Sequence, residues 1–355
     1  MLKRLSLTNF RNYSKSSLDF SKTTIFVGPN GIGKTNIIEA IYLISTGRSW
    51  RTNHDNEVIK WNAEVARIEG AIANAESCRL ELVIQKAPSS KYPLTKIVKI
   101  NEVRRKLTDI LGRLPTVLFS PEEIHLIDGP PQLRRRFLDI LLCQINKKYT
   151  LALLDLAKII RGRNKLLYYI KIGQSKIPEL DFWDEKLVAL GSLVIKKRQK
   201  TIEAFNANLT KIYQNISGTE ERLELKYKPT VEVENFAQTL VAGRQREIEN
   251  TATLFGPHRD DWLFLLEDKN ITTFGSRGEY RSAVLALKMA ELEYLAAAKE
   301  ERPVLLLDDI FSELDKNRRL HLAQIVGGQQ TIITTTDLDH LEPNLRAKAK
   351  IVELK

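Results

Sequence analysis

Sulfur and histidine are both scarce in this chain. Its 355 residues include two cysteines, Cys78 and Cys143, and five histidines. The cysteines lie far apart in sequence and in no metal-ligand spacing. That sets aside a disulfide framework and a thiolate zinc site, and points to a reduced, cytoplasmic compartment. The histidines are scattered and suggest no zinc site. No window approaches 18 uninterrupted apolar residues, so no membrane span and no membrane partner are expected. The opening stretch, Met1 to Phe10, alternates as a strand does and has no apolar signal core. Internal repeats and low-complexity tracts are absent.

What is present is an ordinary apolar content of 43%, which predicts a globular protein long enough for two or three domains. The charge is less ordinary. The formal net charge is +11, and between Gln132 and Lys200 there are 16 Lys/Arg against 6 Asp/Glu, leaving about +1 for everything else. A basic segment beside a near-neutral body suggests a polyanionic partner, nucleic acid first and a membrane surface second. The plain alternative is a solvated helix face.

The strongest local signal is Gly28-Pro29-Asn30-Gly31-Ile32-Gly33-Lys34-Thr35, which fits the phosphate-binding loop G-x-x-x-x-G-K-[ST] at every fixed position. Thr23 to Val27 before it reads as a buried strand. Asn36 to Ile44 after it has the apolar spacing of a helix. Strand, glycine turn and helix N-terminus together make an anion site, because free amides and the helix dipole face the anion. Lys34 reaches the β- and γ-phosphates of a nucleotide, and the Thr35 hydroxyl suits Mg²⁺.

Around this loop, residues 2–8 read as an edge strand, and Asn9 to Tyr13 as a polar turn. Gly47-Arg48-Ser49-Trp50-Arg51-Thr52 is either a helix stop with snorkelling arginines or a contact with nucleotide or DNA. Residues 56–110 alternate as antiparallel strands, with Asn101-Glu102 as a hairpin turn. Residues 132–171 and about 181–216 carry long helical patterns broken by a loop at 172–178. Two such helices, each about 50–60 Å long, predict an antiparallel hairpin that coincides with the basic segment.

Val304 to Leu307 is an apolar strand ending in Asp308-Asp309. The pair either caps the next helix or completes the nucleotide site, with Asp308 on Mg²⁺ and Asp309 on the attacking water. Roughly 270 residues separate Lys34 from Asp308, so a large insertion splits the two halves of the site. Ser276-Arg277-Gly278, just before a helix, is either a plain cap or a second anion cradle, which would serve a second subunit.

These residues resemble the RecF family of ABC/SMC-type ATPase heads. The resemblance is carried by Leu7 to Tyr13, the phosphate loop, Gly47 to Thr52, Phe119 to Glu123 and Arg134 to Asp139. It continues through Gly256-Pro257-His258-Arg259-Asp260-Asp261, Gly275 to Gly278, and Leu305 to Asp315. It covers nearly the whole chain, and the strings at 256–261 and 308–315 are the most specific. It implies an α/β fold, an ABC/SMC-type P-loop ATPase head with a mixed sheet and an inserted helical arm lobe. The expected divisions are 1–131 for the first half of the head, 132–220 for the basic hairpin lobe and 221–355 for the second half.

The resemblance further implies ATP and Mg²⁺ as cofactors, an ATP-dependent homodimer, slow DNA-dependent ATP hydrolysis, and binding to double-stranded and gapped DNA. Partnership with RecO and RecR in recombinase loading, replication maintenance and the SOS response follow. By matching motif positions, Ser276 meets the partner copy's γ-phosphate, Ser312 to Asp315 crosses the dimer interface, and Arg11 and Asn12 lie near the nucleotide. The candidate catalytic residues are Lys34, Asp308, Asp309 and Ser276. The nucleotide-binding residues are 28–35 with Arg11 and Asn12, and the metal ligands are Thr35 and Asp308. The DNA contacts are expected at Arg134, Arg135, Arg136, Lys196, Lys197, Arg198 and Lys200; Arg134 to Arg136 have an alternative role near the nucleotide.

Some positions depart from the wider superfamily. Arg277 stands inside the signature, Asp309 replaces the usual glutamate, no glutamine marks Ser120 to Glu123, and no histidine follows Thr334 to Thr336 until His340. Thr336 and Asp337 are the candidates for that last place. The rival readings are a transporter ATPase subunit, disfavoured by the basic hairpin, an SMC-like structural clamp, disfavoured by the short arm, and a nuclease-fused head, disfavoured because no spare acidic cluster exists.

Overall fold

The computed structural model describes residues 1–73, 77–86 and 94–355. In chain order the strands are β1 (Leu2–Phe10), β2 (Tyr13–Asp19), β3 (Thr23–Val27), β4 (Val65–Ile72), β5 (Cys78–Lys86), β6 (Leu94–Ile100) and β7 (Val103–Arg105). They continue with β8 (Thr116–Phe119), β9 (Leu223–Lys228), β10 (Asp261–Leu266), β11 (Lys269–Asn270), β12 (Val304–Asp308), β13 (Thr331–Thr335) and β14 (Lys350–Glu353). The chain forms two compact units, residues 1–123 with 288–355, and residues 124–287.

The first unit contains two sheets. One is wholly parallel, in the order β14-β3-β13-β12-β8, and the other antiparallel, in the order β2-β1-β4-β5-β6-β7. β3, β8, β12 and β13 are almost wholly buried, as strands covered on both faces are, whereas β14 at the edge is mostly exposed. The helix Lys34–Thr46 packs against strands of both sheets, so it is buried almost all round, with Ile37, Ile38, Ala40, Ile41, Leu43 and Ile44 in the core. It stops at Gly47, whose φ of 74° lets its amide close back onto the Leu43 carbonyl at 2.8 Å. The antiparallel reading of 56–110 holds over its described residues, and Asn101 and Glu102, at φ 50° and 68°, make the expected tight hairpin turn. β1 is not an edge strand as expected: β2 folds back on one side of it and β4 pairs on the other.

The second unit holds the expected helical hairpin, Lys147–Lys171 against Leu180–Ser217, around a shared core of Ala152, Leu156, Leu187, Val194 and Ile195. The anticipated single helix over 132–171 is two, Pro131–Ile145 and Lys147–Lys171. Asn146 leaves the helical conformation between them, and its side chain accepts the Tyr149 amide as an N-cap. At 25 residues the second piece is about 37 Å long, shorter than expected. A helix not expected from the sequence, Phe236–Asn250, packs Phe236 and Leu240 into the hairpin core. β9 and β10 also belong to this unit, since β9 packs on Leu180–Ser217 and pairs with β10. The unit boundaries at 123/124 and 287/288 therefore differ from those expected at 131/132 and 220/221.

Three arginines of the basic segment are interior. Arg163 is fully buried, and bonds Asp184 at 2.7 Å, Glu247 at 2.5 Å and Thr253 at 3.0 Å. Arg198 is buried against Asp139 at 2.8 Å, the Tyr149 hydroxyl at 3.1 Å and the Pro257 carbonyl at 2.6 Å. Arg134 is buried in a two-pronged pair with Asp261, at 2.7 and 2.9 Å. The string 256–261 is thus the knot of the unit, and Asp260 within it accepts from the Tyr227 hydroxyl at 2.6 Å and the Thr230 amide at 2.8 Å.

Removing one member of such a network strands the others in a dry interior. Arg163→Ala leaves Glu247 without its cation and should cost about 3–5 kcal/mol of stability, read from the urea midpoint at constant slope. A midpoint within error of the native chain would show the network to be dispensable.

Candidate functional site

The parallel sheet delivers the site. β3 ends in the phosphate loop, β12 ends in Asp308, and β13 lies between them, so three strand ends open on one edge. Carboxyl ends of parallel strands are where such sheets bind ligands. The loop geometry requires its glycines. Gly33 has φ 113°, and a Cβ there would stand 2.6 Å from the Asn12 side chain. A Cβ on Gly28 would stand 2.9 Å from the Leu354 carbonyl. Lys34 is buried, and its ammonium donates to the carbonyls of Gly28 at 2.6 Å and Pro29 at 3.0 Å. Burial lowers its pKa, while Asp309 and Asp308 oppose that shift.

The Thr35 hydroxyl donates to Asp308 Oδ1 at 3.0 Å across 273 residues of sequence. Thr334 Oγ1 donates to the same oxygen at 2.8 Å. Burial raises the pKa of Asp308, and these two hydroxyls and the Arg51 guanidinium pull it back down. A buried carboxylate beside a hydroxyl is a hard-oxygen pair suited to Mg²⁺, which takes few protein ligands and completes its shell with phosphate and water. Asp309 has left-handed backbone, φ 50°, with its amide on the Thr334 carbonyl at 3.2 Å and hydroxyl at 3.1 Å. Its Oδ1 is buried without a hydrogen-bond partner among the described residues. An unserved acceptor there suits the orientation of a water.

Arg11 and Asn12 come to the same loop. Asn12 Nδ2 donates to the Ile32 carbonyl at 2.8 Å, and the hydroxyl of Tyr13 donates to that of Gly33 at 3.2 Å. Burial pushes Tyr13 up to about 12. Arg11 and Arg51 converge on Glu39, so the basic turn at 47–52 faces the loop as well as ending the helix. Glu39, Asn36 and Thr334 were not among the expected site residues. Glu39 carried a usable signal, a charge on an otherwise apolar helix. Thr334 carried none beyond being one of several threonines in a buried strand.

Ser276 lies in the second unit and is exposed. It forms a reciprocal cap with Glu279, whose carboxylate accepts the Ser276 amide at 2.5 Å while Ser276 Oγ accepts the Glu279 amide at 3.2 Å. The plain-cap reading is therefore correct within one chain. Asp337 has its side chain occupied by the Asp339 amide at 2.9 Å, and the residue that touches Asp308 is Thr334.

Two of the expected DNA contacts are corrected. Arg134 and Arg198 are buried and committed to Asp261 and Asp139, so neither can reach a phosphate backbone. Arg135 is half-buried, with Nη1 on the Asp260 carbonyl at 2.8 Å, and Arg136 is also half-buried. Lys196, Lys197 and Lys200 are exposed on the helix Leu180–Ser217. No helix among the described residues is long and apolar enough to cross a membrane.

Comparison with known proteins gives the family. The model of the RecF/RecN/SMC N terminal domain family matches residues 1–351. The chain is 37% identical over 368 residues to a DNA replication and repair protein RecF of Bacillus cytotoxicus, covering 100% of this chain and 96% of that one. It is 37% identical over 371 residues to the RecF of Halalkalibacterium halodurans, covering 100% and 97%. A solved structure of the recombination mediator protein RecF-ATP in the RecFOR pathway superposes with TM-score 0.89 at 33% identity, covering 96% of this chain and 93% of that one.

Just past the end of β8, Glu123 meets Lys288 at 2.8 Å; Glu291 meets the same ammonium at 2.5 Å. Two buried carboxylates share one cation, and burial pushes Glu123 up to about 7, against the pull of Lys288. A carboxyl raised on folding stabilises most below its unfolded pKa and loses that contribution as pH rises through the folded one. The difference in unfolding free energy between the native chain and Glu123→Gln should therefore move against the native chain from about pH 4.5 to about pH 7. Urea melts across that range check it, and a pH-independent difference refutes it.

Proposed function

This chain belongs to the RecF family of DNA replication and repair proteins, and from that premise we propose that it is an ATP-dependent DNA clamp. It binds ATP with Mg²⁺ at the phosphate loop and pairs with a second copy across shared triphosphates. The pair grips double-stranded DNA at single-strand gaps and supports recombinase loading, with RecO and RecR as partners. The observation that carries the reading is the meeting of Thr35 and Asp308 at 3.0 Å. A phosphate loop alone binds an anion; joined to a strand-end carboxylate, it is a metal–nucleotide site. The relative described with ATP supports the choice of nucleotide, and its place in the RecFOR pathway supports the partners.

The roles follow from position. The backbone N–H groups of Asn30 to Gly33 cradle the phosphates, and Lys34 carries positive charge to the β- and γ-phosphates. Thr35 and Asp308 would hold Mg²⁺, which neutralises phosphate charge when bound. Asp309 orients the water that attacks the γ-phosphorus as the bond to the leaving ADP breaks. An aspartate, one methylene shorter than the usual glutamate, fits slow turnover. Ser276, exposed at the start of the 23-residue helix Arg277–Lys299, offers its hydroxyl and the helix N-terminus to the γ-phosphate held by the other copy. Lys196, Lys197 and Lys200 supply the phosphate-backbone contacts, with Arg135 and Arg136 at the edge of that set.

Sedimentation velocity with a non-hydrolysable ATP analogue and a gapped duplex tests the clamp. The native chain should dimerise, Lys34→Ala should stay monomeric, and Asp309→Asn should form a dimer that persists in ATP. A native chain that stays single with both ligands saturating would leave only a nucleotide-hydrolysing head.

The DNA surface is tested separately. Replacing Lys196, Lys197 and Lys200 together by alanine should weaken duplex binding and make the slope of log affinity against log salt shallower by up to about 3. Unchanged affinity would reduce these lysines to a solvated face. The same titration on the native chain excludes a transporter ATPase subunit, which has no reason to bind duplex in a steeply salt-dependent way.

A further inference from the structure

Glu39 is the only acid on the phosphate-loop helix, and none of the roles above uses it. Its neighbours Ile37, Ile38, Ala40 and Ile41 are core residues, and its own side chain is fully buried. A bare carboxylate could not persist there. Instead both oxygens are filled. Oε1 accepts from Arg11 Nη2 at 2.6 Å and Ser49 Oγ at 2.5 Å, and Oε2 accepts from Arg11 Nε at 2.9 Å and Arg51 Nη1 at 3.1 Å. Arg11 is thus held by both prongs of its fork, with Nη1 on the Glu57 carbonyl at 2.8 Å.

From Arg51 the bonding continues to the phosphate loop. Arg51 Nη1 donates to Asn36 Oδ1 at 2.8 Å, Asn36 Nδ2 to Asn12 Oδ1 at 2.8 Å, and Asn12 Nδ2 to the Ile32 carbonyl at 2.8 Å. The cluster of two guanidiniums and one carboxylate keeps a net positive charge beside the loop. Arg51 also acts on Asp308 through space.

Building on the ATP-binding reading, we infer that Glu39 is a positioning residue: it holds Arg11 and Arg51 in the arrangement that receives the triphosphate. It touches no substrate itself. Its contribution is to order two long side chains before the ligand arrives, so that binding does not have to.

The test is a thermodynamic cycle on the affinity of the full chain for a fluorescent ATP analogue. Glu39→Gln is made in the native background and in one carrying Arg11→Gln and Arg51→Gln. In the native background it should weaken binding about tenfold, the size expected for losing charge-assisted bonds. In the second background it should change nothing, because no arginine remains to be positioned. Equal losses in both backgrounds, or none in the native one, overturn the inference and leave Glu39 a purely structural carboxylate. Glu39→Asp keeps the charge and retracts it by one methylene. It must show the same pattern at smaller size, and it decides the question if circular dichroism shows that Glu39→Gln does not fold. If the native chain itself fails to bind the analogue, the ATP reading falls first and this inference with it.

Discussion

The pairing of β13 between β3 and β12 is the constraint on which this molecule depends. It sets the phosphate loop and Asp308 on one sheet edge, two strands apart, although Thr35 and Asp308 are 273 positions apart in sequence. β13 is more than a spacer. Its Thr334 hydroxyl reaches Asp308 and its backbone holds the amide of Asp309 in a left-handed turn. The two acids at the end of β12 thereby differ in circumstance. Asp308 is buried with Oδ1 accepting two hydroxyls, whereas Asp309 keeps a buried oxygen unserved. That difference is what the roles proposed for them, metal ligand and water-orienting group, require.

The all-round burial of the phosphate-loop helix has a related cause. A helix wedged between two sheets has no solvent face on which to place a charge, so Glu39 must be neutralised from within. Arg11 arrives from the turn after β1 and Arg51 from the stretch after the helix. The antiparallel sheet thus contributes to the site, because its β1–β2 turn carries Arg11 onto Glu39.

The second unit divides its positive charge into two populations. Arg134, Arg163 and Arg198 are buried and matched to Asp261, Asp184, Glu247 and Asp139, and they bind helices and strands to one another. Lys196, Lys197 and Lys200 stay in water on the same long helix that carries Arg198. Arginine suits the first task because its planar fork satisfies carboxylates and carbonyls together; lysine suits the second because its strongly hydrated ammonium favours exposure. A count of charges along the chain cannot separate these populations, which is why the expected DNA-contact set included two arginines that the fold consumes.

Sequence alone determined what depends on local spacing: the phosphate loop with its flanking strand and helix, Asp308-Asp309 at a strand end, the hairpin turn at Asn101-Glu102 and the long helical arm. Each is set by backbone conformations and periodicities that neighbouring residues impose on one another. It also carried the family resemblance, because the motif strings occur in order along nearly the whole chain. Tertiary structure alone decided which side chains meet across distance. Thr334 reaches Asp308, Glu39 binds two arginines, Asn146 divides a helix that the apolar pattern runs straight through, and β9 and β10 join the helical lobe. Those outcomes depend on strand order and on burial. Hydrophobic patterning says that a residue is inside, but it does not say which partner will be waiting there.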